Sequence, residues 1–399
     1  MSNFKSFFSF SFVWLALYVL GCGFSQSLMS LSGGLGILGA LFCFKFVSLR
    51  WKNFRNPEKF VFLFLNLWLG FSLINLALHP FSETTEKSLL RILLWLIPSI
   101  AVLVPKAKLQ DFKILNPFFL ILILAGLIPS VAWSAYQFFV LKTHAFGLMK
   151  NTNYFAYNLL PPLAFGLHVF KVSLRSFEKK LSLFLVGLCL LGLVFSLSRT
   201  ALATGLGLSL FVGLGLYFSK KSVTKKAWVG IFVFLSLLMG GLFQSPLFKE
   251  KFQRSLSGSD PSFQWRVEAW KYNFDLFSDS ILWGVGYEQN GIDVVKLPHL
   301  QGHWEGGRKI FAHNIFIQTL GDSGLIGFVL LYGFLILCLV AYPSTRILII
   351  PIFIAGLTEN SFTNSRSFHP FLLYLSLLVI LERQSLNETT LSAFDPKRA

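Results

Sequence analysis

The chain is dominated by apolar runs close to 20 residues long, separated by short polar segments. The hydrocarbon core of a bilayer is about 30 Å thick, and a helix needs about 20 apolar residues to cross it. A soluble chain has no need for such runs, and here 54% of the residues are hydrophobic and only 13% are charged. The sequence therefore predicts an all-α, polytopic membrane protein that works at the membrane.

The apolar runs predict about twelve transmembrane helices. They lie at 7–22, 28–48, 59–78, 88–104, 116–140, 154–171, 181–198, 201–218, 227–243, 322–342, 346–357 and 368–382. The run at 346–357 is short for a span and contains Pro351, so a broken or tilted helix is an alternative there.

The net charge of +17 is distributed in a way that indicates topology. Lys and Arg concentrate in every second segment between the apolar runs, as the positive-inside rule requires of cytoplasmic segments. This pattern predicts cytoplasmic termini and contact with anionic lipid, and it argues against a nucleic-acid partner. The N-terminal stretch up to Cys22 loosely resembles a lipoprotein cleavage site, but the spans that follow at once favour a retained first helix.

This predicted topology divides the chain into four parts. Residues 1–243 hold transmembrane helices 1–9, residues 244–321 form an extracytoplasmic, periplasmic loop, residues 322–382 hold helices 10–12, and residues 383–399 form a loosely ordered cytoplasmic tail. Loops as long as 244–321 are usually functional or disordered, and its four tryptophans argue against disorder. We expect one loop helix from Pro261 to about Phe277, since Asp260-Pro261 is a good helix start, and a second over about 312–320, ended by Gly321 and Gly324.

None of the 18 acidic residues lies in the middle of a predicted span. Transporters coupled to protons or sodium usually keep ionisable groups in the bilayer interior, so their absence disfavours a coupled transporter. The loop contains no Asp-x-Asp sequence, and nothing in it requires a divalent metal or another cofactor. His299, His303 and His313 are too irregularly spaced to indicate a metal site.

Three basic residues are the candidates for chemistry, and each has a simpler explanation when taken alone. Arg199 could be an anchor at the membrane edge, Arg266 a surface arginine stacked on Trp270, and His313 a helix-start histidine bonded to backbone groups. Together they lie on one side of the membrane. Guanidinium groups grip phosphate oxygens through paired hydrogen bonds, and an imidazole can take a proton from a hydroxyl near neutral pH.

The sequence resembles the O-antigen ligases and the related polysaccharide polymerases over roughly residues 145–345. The resemblance depends on short motifs in the expected order: Asn151-Thr152-Asn153-Tyr154, Ser198-Arg199-Thr200-Ala201, Arg266 with Trp270, Gly284-Val285-Gly286, and His313-Asn314 followed by Gly321-Asp322-Ser323-Gly324-Leu325-Ile326-Gly327. The first 140 residues show no matching motif.

This resemblance implies a metal-independent, inverting glycosyltransferase in the bacterial inner membrane. Its donor would be a glycan on undecaprenyl diphosphate, and its acceptor a sugar hydroxyl of lipid A–core. The two arginines would bind the diphosphate and His313 would act as the base. We expect Asn153, Trp270, Trp304 and Asn314 to contact substrate, since aromatic faces suit sugar rings.

Three other functions remain open at this point. A polymerase of the same family would extend a growing lipid-linked glycan, and nothing in the chain separates it from a ligase, because the two differ in acceptor and share the leaving group. A lipid-linked glycan flippase would need a basic central cavity and would have no use for a periplasmic histidine. A scaffold protein is the third alternative.

Overall fold

The structure, a computed structural model, shows a helical bundle whose elements are bounded by local sequence signals. It describes residues 54–79, 85–103, 115–143, 145–149, 151–173, 175–218, 261–286, 291–293, 309–359 and 365–394, with a few isolated positions elsewhere. The predicted helices 7–22, 28–48 and 227–243 lie outside these residues, as do His299, His303 and Trp304.

Eleven α-helices follow one another within these residues. They are α1 (Asn56–Leu78), α2 (Thr85–Leu94), α3 (Ile97–Leu103), α4 (Leu115–Phe139), α5 (Thr152–Val172), α6 (Ser176–Ser196), α7 (Arg199–Phe218), α8 (Pro261–Asp279), α9 (Ile315–Ala341), α10 (Arg346–Gly356) and α11 (Ser365–Phe394). In the same part of the chain the strands are β1 (Ile292–Asp293) and β2 (Lys309–Ile310), paired antiparallel with Ile292 opposite Ile310. The described residues are thus essentially all-α, as predicted.

The bundle has the surface of a membrane protein. In the part of the chain that the structure describes, four helical segments are long and apolar enough to cross a bilayer: Asn56–Leu78, Leu120–Phe139, Ser176–Ser196 and Ile315–Ala341. Large apolar side chains such as Phe211, Phe139 and Val340 are exposed on the outside of the helices, where lipid would cover them. The total of about twelve spans stays a prediction.

Two helices, α5 and α9, pack against most of the other described helices. Helix α5 packs against α6, α7 and α11, and α9 packs against α1 and α8. Small residues permit the close approach: a Cβ added at Gly192 would lie 2.6 Å from a Leu159 methyl carbon, and one at Gly205 would lie 2.5 Å from Leu193. The two cysteines among the described residues, Cys189 and Cys338, are buried and free, as expected of small apolar side chains.

Two predicted elements differ from the structure. The predicted span 88–104 is divided into α2 and α3 at Trp95 and Leu96, whose amides bond three residues back instead of four. Pro98 explains the break, because it has no N–H to donate to the carbonyl of Leu94. The predicted tail also begins too early: α11 continues to Phe394, and Arg383 is buried and donates to the carbonyl of Ala101.

The predicted stop of the second loop helix appears as a break inside α9. Gly324 has φ 60° and ψ −165°, and the helix resumes beyond it. The turn after α8 lies against this break: Leu325 N–H donates to Ile281 (2.7 Å) and Val285 N–H donates to Gly321 (2.9 Å). The second predicted loop helix and the span predicted at 322–342 are therefore two halves of one kinked helix. Carbonyls freed at the kink accept hydrogen bonds from the turn after α8.

Replacing Gly324 by alanine is expected to destabilise the bundle by about 3 kcal/mol. The new Cβ would lie 2.4 Å from the carbonyl carbon of Leu282, and φ +60° strains any L side chain. The measurement is the midpoint of thermal unfolding of the purified chain in detergent. Gly187→Ala is the control, since its Cβ would meet nothing within 4 Å. Equal midpoints for the two variants would contradict the assigned crossing of α9 and the α8 turn.

Candidate functional site

Three helices begin at one end of the bundle, around a short segment that follows α10. This segment, residues 357–359, contacts the start of each of the three. Asn153 near the start of α5 bonds to Glu359, Thr200 at the start of α7 accepts a hydrogen bond from Thr358 (3.0 Å), and Asn314 just before α9 donates to Leu357 (3.0 Å). The positive ends of three helix dipoles therefore converge on residues 357–359.

The carboxylate of Glu359 is the centre of this arrangement, and the residue is only 8% exposed. Its Oε2 lies 2.8 Å from Nδ1 of His313. Its Oε1 accepts a hydrogen bond from the Nδ2 amide of Asn153 at 2.8 Å and lies 3.5 Å from a terminal nitrogen of Arg266. One carboxylate thus joins the predicted base, one predicted diphosphate ligand and one predicted substrate-binding residue.

The backbone at His313 is held in a conformation that few residues adopt. Its φ is +47°, in the left-handed region, where histidine is one of the more tolerant residues. Ala312 fixes the turn on one side, because its carbonyl accepts the Trp270 indole N–H (2.6 Å) and its N–H donates to the Gln318 side chain (3.0 Å). The second loop helix therefore begins at Ile315, three residues later than predicted, and His313 precedes it.

Asn314 holds the other side of the same turn. Its side-chain oxygen caps α9 by accepting bonds from the amides of Phe316 and Ile317, and its amide nitrogen donates to the carbonyl of Leu357. Both ends of this side chain are thus bonded to the backbone, as is the indole N–H of Trp270. In this arrangement Asn314 and Trp270 support His313, and their predicted contact with substrate stays a prediction, as does that of Trp304.

Trp265 contacts both the imidazole of His313 and the guanidinium of Arg266. The His313 ring meets the buried Trp265 ring edge-on, with centroids 4.7 Å apart and an angle of 76°. The Arg266 guanidinium lies 5.4 Å from the centroid of the same indole. The described cation–π contact of Arg266 is thus with its neighbour Trp265, whereas the simpler explanation considered from the sequence was stacking on Trp270.

Arg199 is the first residue of α7, directly after a two-residue turn. Leu197 in this turn has φ +53°, and Ser198 follows it, so α6 and α7 are joined almost without a loop, as predicted. The Arg199 side chain is exposed, and its neighbour Thr200 contacts Thr358, the residue before Glu359. Arg199 therefore begins its helix at the same end of the bundle as Arg266 and His313.

No metal site is evident in this part of the chain. Among the described residues, no group of three or more His, Cys, Asp or Glu side chains could hold a metal ion. Because His299 and His303 lie outside those residues, metal independence stays a prediction.

Glu359 is the functional candidate that the sequence analysis missed. The signal was present: Glu359 follows the short apolar run 346–357, and the predicted topology puts the end of that run on the same side as His313. Glu359 lies neither inside a predicted span nor in the long loop, but in a short connection just past the end of α10.

A comparison with protein families supports the resemblance noted from the motifs. Residues 184–332 match a family model described as O-antigen ligase. A comparison of the chain with curated proteins found no match. The matched range contains Arg199, Arg266 and His313, whereas Asn153 and Glu359 lie outside it. Over residues 184–332, the chain is therefore similar to the O-antigen ligase family.

Proposed function

We propose that this chain is a membrane glycosyltransferase of the O-antigen ligase type. It moves a glycan from undecaprenyl diphosphate to a sugar hydroxyl of lipid A–core. The observation that carries the proposal is the convergence of His313 and Arg266 on Glu359, at the end of the bundle where three helices begin. A proton acceptor and a fixed cation side by side suit a reaction in which a hydroxyl attacks and an anion leaves.

The diphosphate is bound by the two arginines and by helix N-termini. The Nε of Arg266 is buried and has no hydrogen-bond partner among the described residues. A buried guanidinium N–H without a partner is costly, and a phosphate oxygen would satisfy it. Arg199 adds a second guanidinium at the start of α7, where backbone N–H groups and the helix dipole also favour an anion.

His313 supplies the base. A carboxylate only accepts hydrogen bonds, so the Glu359 contact fixes the proton on Nδ1 of His313 and leaves Nε2 as the acceptor. The acceptor hydroxyl gives its proton to Nε2 while its oxygen bonds to the anomeric carbon of the donor sugar. The bond from that carbon to the diphosphate breaks, and the electron pair leaves with undecaprenyl diphosphate. Attack from the face opposite the leaving group inverts the anomeric configuration.

We assign the site to the periplasmic side of the bacterial inner membrane. The starts of α5, α7 and α9 share one end with the end of α10, while basic residues such as Lys171, Arg175 and Arg346 lie towards the other ends of these helices. This distribution supports the positive-inside assignment, with about twelve spans and both termini in the cytoplasm. Lipid-linked substrates would then reach the site laterally from the bilayer.

The test is reconstitution of the purified full chain in lipid nanodiscs with an undecaprenyl diphosphate–glycan. Lipid A–core, a second lipid-linked glycan and water are offered as acceptors, with and without EDTA. We expect an inverted glycosidic bond to lipid A–core, formed equally well with EDTA. Transfer only to the second lipid-linked glycan would contradict the ligase assignment and indicate a polymerase. Passage of intact donor across a vesicle bilayer without a new bond would contradict the enzyme assignment.

A further inference from the structure

We propose that Glu359 is a positioning residue with two tasks, one for each carboxylate oxygen. One oxygen orients the base His313, and the other neutralises Arg266 until the diphosphate of the donor replaces it. The inference rests on the proposed function and extends it to a residue outside the matched range 184–332.

The two oxygens have separate partners. Oε2 faces Nδ1 of His313, whereas Oε1 faces Asn153 and Arg266. Departure of Arg266 from Oε1 would therefore leave the bond to His313 intact. Asn153 keeps the carboxylate in place during this exchange, because its amide carries no net charge and is drawn to a diphosphate less strongly than a guanidinium is.

The contact with Arg266 is the weaker of the two charged contacts. It spans 3.5 Å, whereas charge-assisted bonds between a guanidinium and a carboxylate usually span about 2.7–2.9 Å. The His313 contact, at 2.8 Å, has normal length. A diphosphate presents more negative charge than one carboxylate and can accept two parallel N–H bonds, so it should take Arg266 from Glu359.

This exchange would couple donor binding to the counter-charge that Glu359 offers to His313. Among the described residues, Glu359 after α10 contacts His313, and Arg266 on α8 contacts the same carboxylate. Arg199 begins α7 at the same end of the bundle. Before the donor binds, the negative charge of Glu359 is shared between Arg266 and His313. Once both arginines bind diphosphate, that charge acts on His313 alone and stabilises the imidazolium that forms on proton transfer. The counter-charge for the imidazolium is therefore largest when a donor is in place.

The test is Glu359→Gln, which keeps the shape and the hydrogen bond to Nδ1 but removes the charge. We expect kcat to fall about 100-fold, since the imidazolium loses its counter-charge. At the same time we expect the Kd of purified protein for undecaprenyl diphosphate to fall about threefold to tenfold, because Arg266 no longer has a competing anion. A merely structural loss would weaken binding, so tighter binding with slower turnover is the distinguishing result.

Glu382→Gln is the matched control. Glu382 lies on α11 at the other end of the bundle, where its carboxylate accepts a bond from the amide of Ser344 (3.0 Å). We expect kcat and Kd of this variant to match wild type. Unchanged kcat in Glu359→Gln, or a fall in kcat with equal or weaker binding, would overturn the inference.

A second variant keeps the inference testable if Glu359→Gln does not fold. Asn153→Ala loosens the same carboxylate without changing its charge, so kcat should fall about tenfold while Kd for undecaprenyl diphosphate stays within about twofold of wild type. Unchanged kcat would contradict the anchoring task. Failure of the proposed function is distinguishable, because the wild-type chain would then form no glycosidic bond, whereas failure of this inference leaves wild-type transfer intact.

Discussion

Replacing His313 by alanine is expected to abolish glycan transfer while leaving the protein in the membrane. Positioned general bases contribute about 100- to 10,000-fold, and His313 is the imidazole held against Glu359 at the proposed site. Binding of undecaprenyl diphosphate should persist, since both arginines remain. The measurement is transfer by purified protein in nanodiscs, together with the Kd for undecaprenyl diphosphate.

The backbone at His313 requires a second variant. Alanine at φ +47° carries strain of about 1 kcal/mol, which could lower activity through stability alone. Asparagine tolerates the left-handed region, so His313→Asn should keep the unfolding midpoint of wild type and still lack transfer. His79→Ala is the control, because His79 follows α1 and bonds to the carbonyl of Asn75. Normal glycan transfer by His313→Asn would contradict the proposal that His313 is the base.

The helix boundaries that the sequence predicted well are those set by local chemistry. Pro261 begins α8 as expected, because proline at the first helical position loses no bond. Gly324 interrupts α9 where a residue with positive φ is required, and Leu197 and Ser198 form the short turn. Each of these depends on a few neighbouring residues, which a sequence displays directly.

The site itself depends on contacts between residues far apart in the chain. The sequence predicted that Arg199, Arg266 and His313 lie on one side of the membrane, because the number of predicted spans between them determines the side of each residue. It could not show that Asn153 and Glu359, which lie on opposite sides of the long loop in sequence, meet at 2.8 Å. Nor could it show that the Trp270 indole donates to the carbonyl of Ala312, the residue before His313. Such pairings arise from helix packing, which composition and spacing do not specify.

Replacing Arg266 by lysine is expected to reduce kcat/KM for transfer about 100- to 1,000-fold. Lysine keeps the positive charge and can still pair with Glu359, but it loses the planar fork that binds two phosphate oxygens at once. It also loses the buried Nε–H that has no partner among the described residues. The loss should therefore appear in stabilisation of the leaving diphosphate, as a lower kcat in addition to weaker binding of undecaprenyl diphosphate.

Arg346→Lys provides the matched comparison for this substitution. Arg346 begins α10 at the opposite end of the bundle, where its Nε donates to the carbonyl of Leu339 (3.0 Å) and its side chain is exposed. The same change of guanidinium to ammonium there should leave transfer and donor binding unaltered. If Arg266→Lys transferred glycan as fast as Arg346→Lys, positive charge alone would suffice at α8. Paired hydrogen bonds from Arg266 to a diphosphate would then have no part in the reaction.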